Sequence, residues 1–275
     1  MTKILFMVFH FPPISGGGVV VIVELANSLA KLGHDVTILT PKLKWDGPVY
    51  NPELNSKIKI IKIDIPSESN LKIAARRCFS NMGKKGIEVG KKNEFDFILT
   101  IFHPFHFVPR AAVSCSKKLK IPVITKIDDA IYAKSKGLKS IQRKIEKIYN
   151  SKTLKNSTKI LVSNKITKNI INDFYHVPIQ NISIIPNGVD ISKYYTQNKI
   201  SNKIVFSGAM YYHRGLDVLL NAVIKIIKIN PEIKFILFGS GPELEKLKEF
   251  TQKNNLNNNV KFEGWVDRNE IPNYL

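Results

Sequence analysis

The run Ile4-Leu5-Phe6-Met7-Val8-Phe9, the loop Phe11-Pro12-Pro13-Ile14-Ser15-Gly16-Gly17-Gly18 and the segment Val19 to Leu32 decide the fold class. A short, unbroken apolar run closed by two prolines reads as a strand buried on both faces. After the glycines the chain takes up a helical period, with Leu25, Leu29 and Leu32 on one face and Gly33 as the stop. Val36 to Thr40 is the next strand.

The same alternation continues outward. Further strands are expected at Ile58 to Ile63, Phe97 to Phe102, Val123 to Ile127, Ile160 to Val162 and Ile182 to Ile185. Helices are expected around Leu71 to Val89, Pro109 to Leu119, Ser140 to Leu154 and Ile166 to Phe174. Short β-branched runs between longer helical segments predict an α/β fold with a doubly wound, mostly parallel sheet. Pro186-Asn187-Gly188 punctuates the chain, and the polar stretch Tyr194 to Asn202 reads as a linker. A second series follows: strand Ile204 to Ser207, helix Gly215 to Ile229, strand Phe235 to Phe238, helix Glu243 to Lys253, strand Val260 to Phe262, and the start of a helix after Asn269. The expected organisation is a first domain over 1–190, a linker over 191–202 and a second domain over 203–275. With three strands the second domain would keep an unpaired sheet edge and a small core, so it is expected to be incomplete.

Composition narrows the class. Of 275 residues 44% are apolar and 23% charged, as in a globular chain and not a disordered one. No apolar stretch approaches the roughly 20 residues of a spanning helix, and Pro12 and Pro13 end the first run too early for a signal peptide. Cys78 and Cys115 stand in no metal or redox spacing, which fits a reducing compartment and makes the cytoplasm the default location. A formal charge of +20 favours anionic partners such as nucleic acid, lipid headgroups or phosphorylated substrates without choosing among them, and lysine-rich codon usage is a competing source.

The glycines of 16–18 let backbone N–H groups approach a phosphate or sugar at a positive helix end, or simply make a tight turn. A nicotinamide site is not expected: Val21 stands where the third fingerprint glycine belongs, and the second strand ends in Thr40-Pro41 with no acid for a ribose. His103 and His106 follow a strand, where a parallel sheet places ligands; either is also readable as a structural histidine.

Several segments in order resemble the family four glycosyltransferases. Gly16-Gly17-Gly18, Leu25-Ala26 and Leu32-Gly33-His34-Asp35-Val36-Thr37 resemble the family's opening, with its glycine-rich loop and "GH-x-V" turn. Ile185-Pro186-Asn187-Gly188-Val189-Asp190 resembles its "PNGVD" passage. Phe206-Ser207-Gly208, Arg214-Gly215, Leu219-Leu220 and Ala222 resemble its donor-binding strand and helix. Phe238-Gly239-Ser240-Gly241-Pro242 and Val260-Lys261-Phe262-Glu263-Gly264 resemble the next strand ends. The resemblance implies a GT-B fold of two Rossmann-like domains, with the acceptor on the first and the sugar nucleotide mainly on the second. It implies transfer of a sugar from a nucleotide-sugar donor to an acceptor hydroxyl, with retention, in polysaccharide or glycolipid assembly.

By the same resemblance Gly16, Gly17, Gly18, Gly208, Arg214, Gly239 and Gly241 are the expected donor-binding residues, and Arg214, Asp128 and Asp129 expected catalytic residues; His103 joins the expected catalytic set from its place after a strand. Arg214 takes the place of the family's lysine, whereas Ala209 stands where an arginine follows the strand-end glycine. Aligned on Pro122, Asp128 and Asp129 fall at the family's "T-x-HD" positions; capping at a strand end is the competing reading. Adjacent aspartates are not the spaced pair of metal-dependent transferases, so neither metal nor other cofactor is expected. The family's acidic "E-x7-E" segment is absent up to Leu275, which makes a non-catalytic sugar-nucleotide- or partner-binding fragment the alternative.

From Lys134 to Lys168 the chain is rich in lysine and has a single acid, Glu146, with Leu138, Ile141, Ile145 and Ile148 at helical spacing. The stripe is expected to pack on the sheet, while the charge suits an anionic membrane surface, with a peripheral position on its inner face. Expected partners are therefore a nucleotide-sugar donor, a glycan or lipid-linked acceptor and an anionic membrane surface. No aromatic-interleaved basic motif supports nucleic acid.

Overall fold

The computed structural model describes residues 1–47, 49–64, 71–103, 107–128, 138–194, 202–267 and 270–274. Asp129, His106 and residues 195–201 of the expected linker lie outside the described residues. The chain divides into two compact units, Met1–Gly188 and Val189–Leu275.

The first unit runs β1 (Lys3–Met7), α1 (Gly17–Lys31), β2 (Asp35–Pro41), β3 (Lys59–Ile63), α2 (Leu71–Asn93), β4 (Phe97–Ile101), α3 (Val108–Leu119), β5 (Val123–Ile127), α4 (Leu138–Lys155), β6 (Lys159–Val162), α5 (Lys165–Tyr175) and β7 (Ile182–Ile184). Its seven strands form one sheet in the order β3-β2-β1-β4-β5-β6-β7. All neighbours are parallel.

Period-two side chains explain why β1 is apolar from Ile4 onward. Leu5 and Met7 pack with Cys78, Met82 and Val89 of α2 and with Ala111, Ala112 and Cys115 of α3. Ile4, Phe6 and Val8 turn to the other face, against Val19, Ile22, Val23 and Ala26 of α1. Farther along, Ile127, Ile160 and Val162 meet Leu154 of α4 and Ile171 and Tyr175 of α5.

Two helical faces differ from expectation. Helix α1 buries Val19, Ile22, Val23, Ala26 and Ala30, while Leu32 is 75% exposed and Leu25 and Leu29 are only partly buried. The 3.6-residue period fits both stripes, and the smaller residues win because they let the helix lie close to the sheet. In α4 the expected apolar stripe does not pack at Ile145 and Ile148, which are 51% and 68% exposed, and the side chains of Leu138 and Ile141 lie outside the described ones; among the described side chains of α4, Asn150, Thr153 and Leu154 are buried.

The second unit contains β8 (Lys203–Ser207), α6 (Leu216–Ile226), β9 (Lys234–Phe238), α7 (Leu244–Lys253) and β10 (Val260–Gly264), with a parallel sheet ordered β10-β9-β8. Its core joins Leu216, Leu220 and Val223 of α6 to Phe235 and Leu237 of β9, Leu247 of α7, Leu256 and Val260. Among the described residues, β8 and β10 each pair only with β9. In place of the helix expected after Asn269, Ile271–Asn273 form a single 3-10 turn. There the Tyr274 ring lies 4.6 Å from that of Phe238.

Candidate active site at the carboxyl ends of the strands

Strand order reverses between β1 and β4, since β1 leads through α1 to β2 on one side while β4 leads to β5 on the other. In open α/β sheets such a switch point opens a crevice beyond the carboxyl ends. Three neighbouring strands deliver polar side chains there: β1 runs on to His10, β4 to His103 and β5 to Asp128. Burial, with His103 beside it, pushes the His10 imidazole down to about 4, so it is neutral near pH 7. Its ring meets that of Phe9 edge-on at 4.9 Å. Sequence reasoning overlooked His10, although the rule that selected His103, a histidine just past a strand end, applies equally to it.

Beyond His10 the loop is anchored. Phe11 and Ile14 are buried, Ile14 bridges Val49, and the Tyr50 N–H donates to the Pro13 carbonyl at 2.9 Å. The Pro12–Pro13 peptide is cis. Gly16 has φ 154° and ψ 152°, a conformation open essentially to glycine. Its carbonyl accepts the N–H groups of Val19 and Val20 at 3.0 and 3.1 Å, and α1 begins at once without a side-chain cap. The first-turn N–H groups of a helix have no partners within it. A Cβ on Gly17 or Gly18 would meet nothing within 4 Å, so the space over this helix end is open.

At the end of β5 the Lys126 ammonium, on a residue only 5% exposed, pairs with Asp128 Oδ1 and donates to Asn187 Oδ1 at 2.6 Å. The Asp128 backbone carbonyl accepts the Ser163 hydroxyl at 3.1 Å. Asp128 Oδ2 is buried with no hydrogen-bond partner among the described residues. A buried carboxylate oxygen calls for a donor, so this atom is suited to take a hydroxyl. Lys126 was also missed from sequence; a charge inside the apolar run Val123-Ile124-Thr125-Lys126-Ile127 was the available signal.

In the second unit Gly208, Gly239 and Gly241 come together because the loops after β8 and β9 approach backbone to backbone. The Gly208 N–H donates to the Phe238 carbonyl at 3.0 Å and the Met210 N–H to the Ser240 carbonyl at 2.9 Å. A Cβ on Gly239, where φ is +125°, would collide with the Gly208 carbonyl, and one on Gly241 would lie 2.5 Å from the Met210 oxygen. These glycines thus have a packing reason to be there independent of any ligand. Arg214 closes a 3-10 turn just before α6; it is exposed, with no ion pair among the described residues. Next to it the rings of Tyr211 and His213 stack at 5.6 Å. Among the described residues no group of three or more His, Cys, Asp or Glu side chains is placed to hold a metal ion.

The family model described as Glycosyltransferase Family 4 matches residues 15–193, and that of Glycosyl transferases group 1 matches residues 190–275. The chain belongs to glycosyltransferase family 4. It is similar to the alpha-monoglucosyldiacylglycerol synthase of Streptococcus pneumoniae, 24% identical over 98% of this chain and 63% of the relative. It is also similar to the mannosylfructose-phosphate synthase of Agrobacterium fabrum, 21% identical over 94% of this chain and 63% of that one. The family member therefore spans a little under two thirds of the length of these two relatives. Among solved structures, sucrose-phosphate synthase from Thermosynechococcus elongatus superposes with a TM-score of 0.74 at 14% identity, covering 100% of this chain and 73% of that one. Anabaena HepE, in complex with UDP and glucose, gives 0.69 at 14% identity, covering 100% and 72%. Both support the GT-B type of fold for this family member.

Proposed function

We propose that this chain carries the sugar-transfer site of a glycosyltransferase that moves a sugar from a nucleotide-sugar donor to an acceptor hydroxyl in glycolipid or polysaccharide assembly. The observation that carries this reading is the pair of family matches, which together run from residue 15 to residue 275. The UDP in the structure of HepE and the lipid product in the name of the pneumococcal synthase support the donor and acceptor classes.

In the reaction the bond from the sugar's anomeric carbon to the diphosphate breaks, its electron pair leaving on the phosphate oxygen. The acceptor oxygen bonds to that carbon, with retention, and its proton passes to the leaving diphosphate. On the second unit, Arg214 with the loops of Gly208, Gly239 and Gly241 supplies charge and space for the donor diphosphate. On the first unit, taken by itself, the uncapped N-terminus of α1 beside Gly16, Gly17 and Gly18 is suited to an anion. Asp128 Oδ2 accepts a hydrogen bond from the acceptor hydroxyl, with His10, which is neutral, and His103 at the ends of β1 and β4. No step in this scheme calls on a metal or other cofactor.

No helix among the described residues is long and apolar enough to cross a membrane. The lipid-side surface of this reading is α4, where exposed Ile145, Ile148 and Tyr149 lie among Lys144, Lys147 and Lys152. A basic helix with outward isoleucines complements an anionic bilayer, which supports a peripheral position on the inner face of the membrane.

Ala209, which leaves the strand-end glycine without a neighbouring cation, favours a second reading, binding of sugar nucleotide without turnover. Incubation with UDP-glucose and UDP-N-acetylglucosamine and a panel of diacylglycerol and glucosyl-diacylglycerol acceptors, with product mass measured, separates the two. Glycosylated lipid is the expected result. UDP binding by calorimetry with no product from any pair would establish the second reading, and neither binding nor product would overturn both.

A further inference from the structure

Lysine is seldom buried unless its ammonium is matched by acceptors. At Lys126 the acceptors come from two places: Asp128, two residues on and just past the carboxyl end of β5, and Asn187, 61 residues on. Asn187 directly precedes Gly188, the last residue of the first unit. The end of β7 is tied to the sheet by the Ile185 N–H, which donates to the Val162 carbonyl at 2.8 Å. For residues 186–189, among the described residues, the Lys126 contact is the hydrogen bond that ties the chain to the sheet. The same ammonium occupies Asp128 Oδ1, and among the described residues Oδ2 is the oxygen without a donor.

We infer that Lys126 is a positioning residue, whose ammonium holds the Asp128 carboxylate and the Asn187 amide in one arrangement, so that the site end of β5 and the exit segment of the first unit respond together. A hydroxyl that engages Asp128 thereby reorients the group that anchors Asn187, and loosening of Asn187 frees the carboxylate to turn. The coupling stands on the contacts alone; its use in transfer rests on the reading of the previous subsection.

Hydrogen exchange of the Ile185 amide in the whole 275-residue chain tests the coupling without any need for activity. Asn187→Ala, which keeps the Lys126–Asp128 pair, is expected to speed that exchange about fivefold or more, because β7 loses its downstream anchor. Asp128→Asn, on the far side of Lys126, is expected to speed it about threefold. Ser163→Ala, which removes the other route from Asp128 towards β7, is expected to leave it unchanged. Exchange unmoved by Asn187→Ala or by Asp128→Asn, or an equal response to Ser163→Ala, would overturn the coupling.

Transfer kinetics test its use. Asn187→Ala is expected to lower kcat about tenfold with donor KM held within about twofold, and Asn187→Asp, which keeps an acceptor oxygen, to restore most of the loss. An unchanged kcat in a wild-type-active protein would overturn the positioning role. Coupling in the exchange data with no transfer by the wild type would instead count against the proposed function and leave the clamp in place.

Discussion

Gly239 stands so close to Gly208 that a single added methyl group on Gly239 would overlap the Gly208 carbonyl oxygen. The approach joins the ends of β8 and β9, and the Gly239 N–H is itself bonded to the Gly264 carbonyl at 2.6 Å, drawing in β10. Gly239→Ala combines this overlap with a φ of +125°, so it is expected to destabilise the second unit by about 2 to 4 kcal/mol. Urea unfolding followed by the fluorescence of Trp265, in a background with Trp45→Phe, reads that unit separately; an unchanged midpoint would show that the loops part easily.

Gly16 and Gly17 are adjacent but are expected to respond oppositely. Gly16→Ala is strained by its backbone conformation and should cost about 1 to 3 kcal/mol. A Cβ on Gly17 meets nothing within 4 Å among the described residues, so Gly17→Val should move stability by no more than about 1 kcal/mol while its side chain fills space beside the α1 terminus. Calorimetric UDP affinity that survives Gly17→Val in the folded protein would remove the donor diphosphate from this helix end.

His10 makes stability depend on pH. In the unfolded chain its imidazole takes a proton near 6.5, and in the folded chain only near 4. Between those values the unfolded state binds more protons, so the His10 contribution is intact above about pH 6.5 and is lost progressively as pH falls towards 4. The loss amounts to about 3 kcal/mol. His10→Gln should flatten the pH dependence of urea unfolding between pH 7 and 4, and an unaltered slope would mean another group is responsible.

Arg214 is expected to act on chemistry and not on folding. Being exposed and unpaired among the described residues, it should be replaceable by alanine within about 0.5 kcal/mol of stability. Transfer kcat/KM should fall about 100-fold in Arg214→Ala, with a smaller loss in Arg214→Lys, which keeps the charge. Equal activity of the wild type and Arg214→Ala would leave the diphosphate charge to other groups.

The outward isoleucines of α4 should be felt at a lipid surface. Ile145→Ser combined with Ile148→Ser is expected to weaken binding to phosphatidylglycerol vesicles about tenfold. Binding by the unaltered protein should also fade as salt shrinks the screening length from about 10 Å to about 3 Å. Equal binding to neutral phosphatidylcholine vesicles would show that the lysines are not the cause.

The order of elements was legible in the chain because a strand buried on both faces must be apolar throughout, as in Ile4 to Phe9, and because glycines mark where backbone turns sharply, as at Gly16. Which face of a helix is buried was not. The stripes of α1 and α4 satisfy the helical period on either reading, and only the neighbouring sheet selects Ala26 and Ala30 over Leu32, or leaves Ile148 in solvent.

The candidate site divides in the same way. Sequence by itself singled out the glycine loops, Arg214 and Asp128 as candidates, since each lies beside a turn or strand end in local sequence. Only the tertiary structure decided that His10 lies beside His103, and that Lys126 reaches Asn187 across 61 residues. Local spacing records the backbone period, whereas the company a polar side chain keeps depends on strand order. Parallel pairing of β1 with β4, across most of a hundred residues of chain, sets those neighbours.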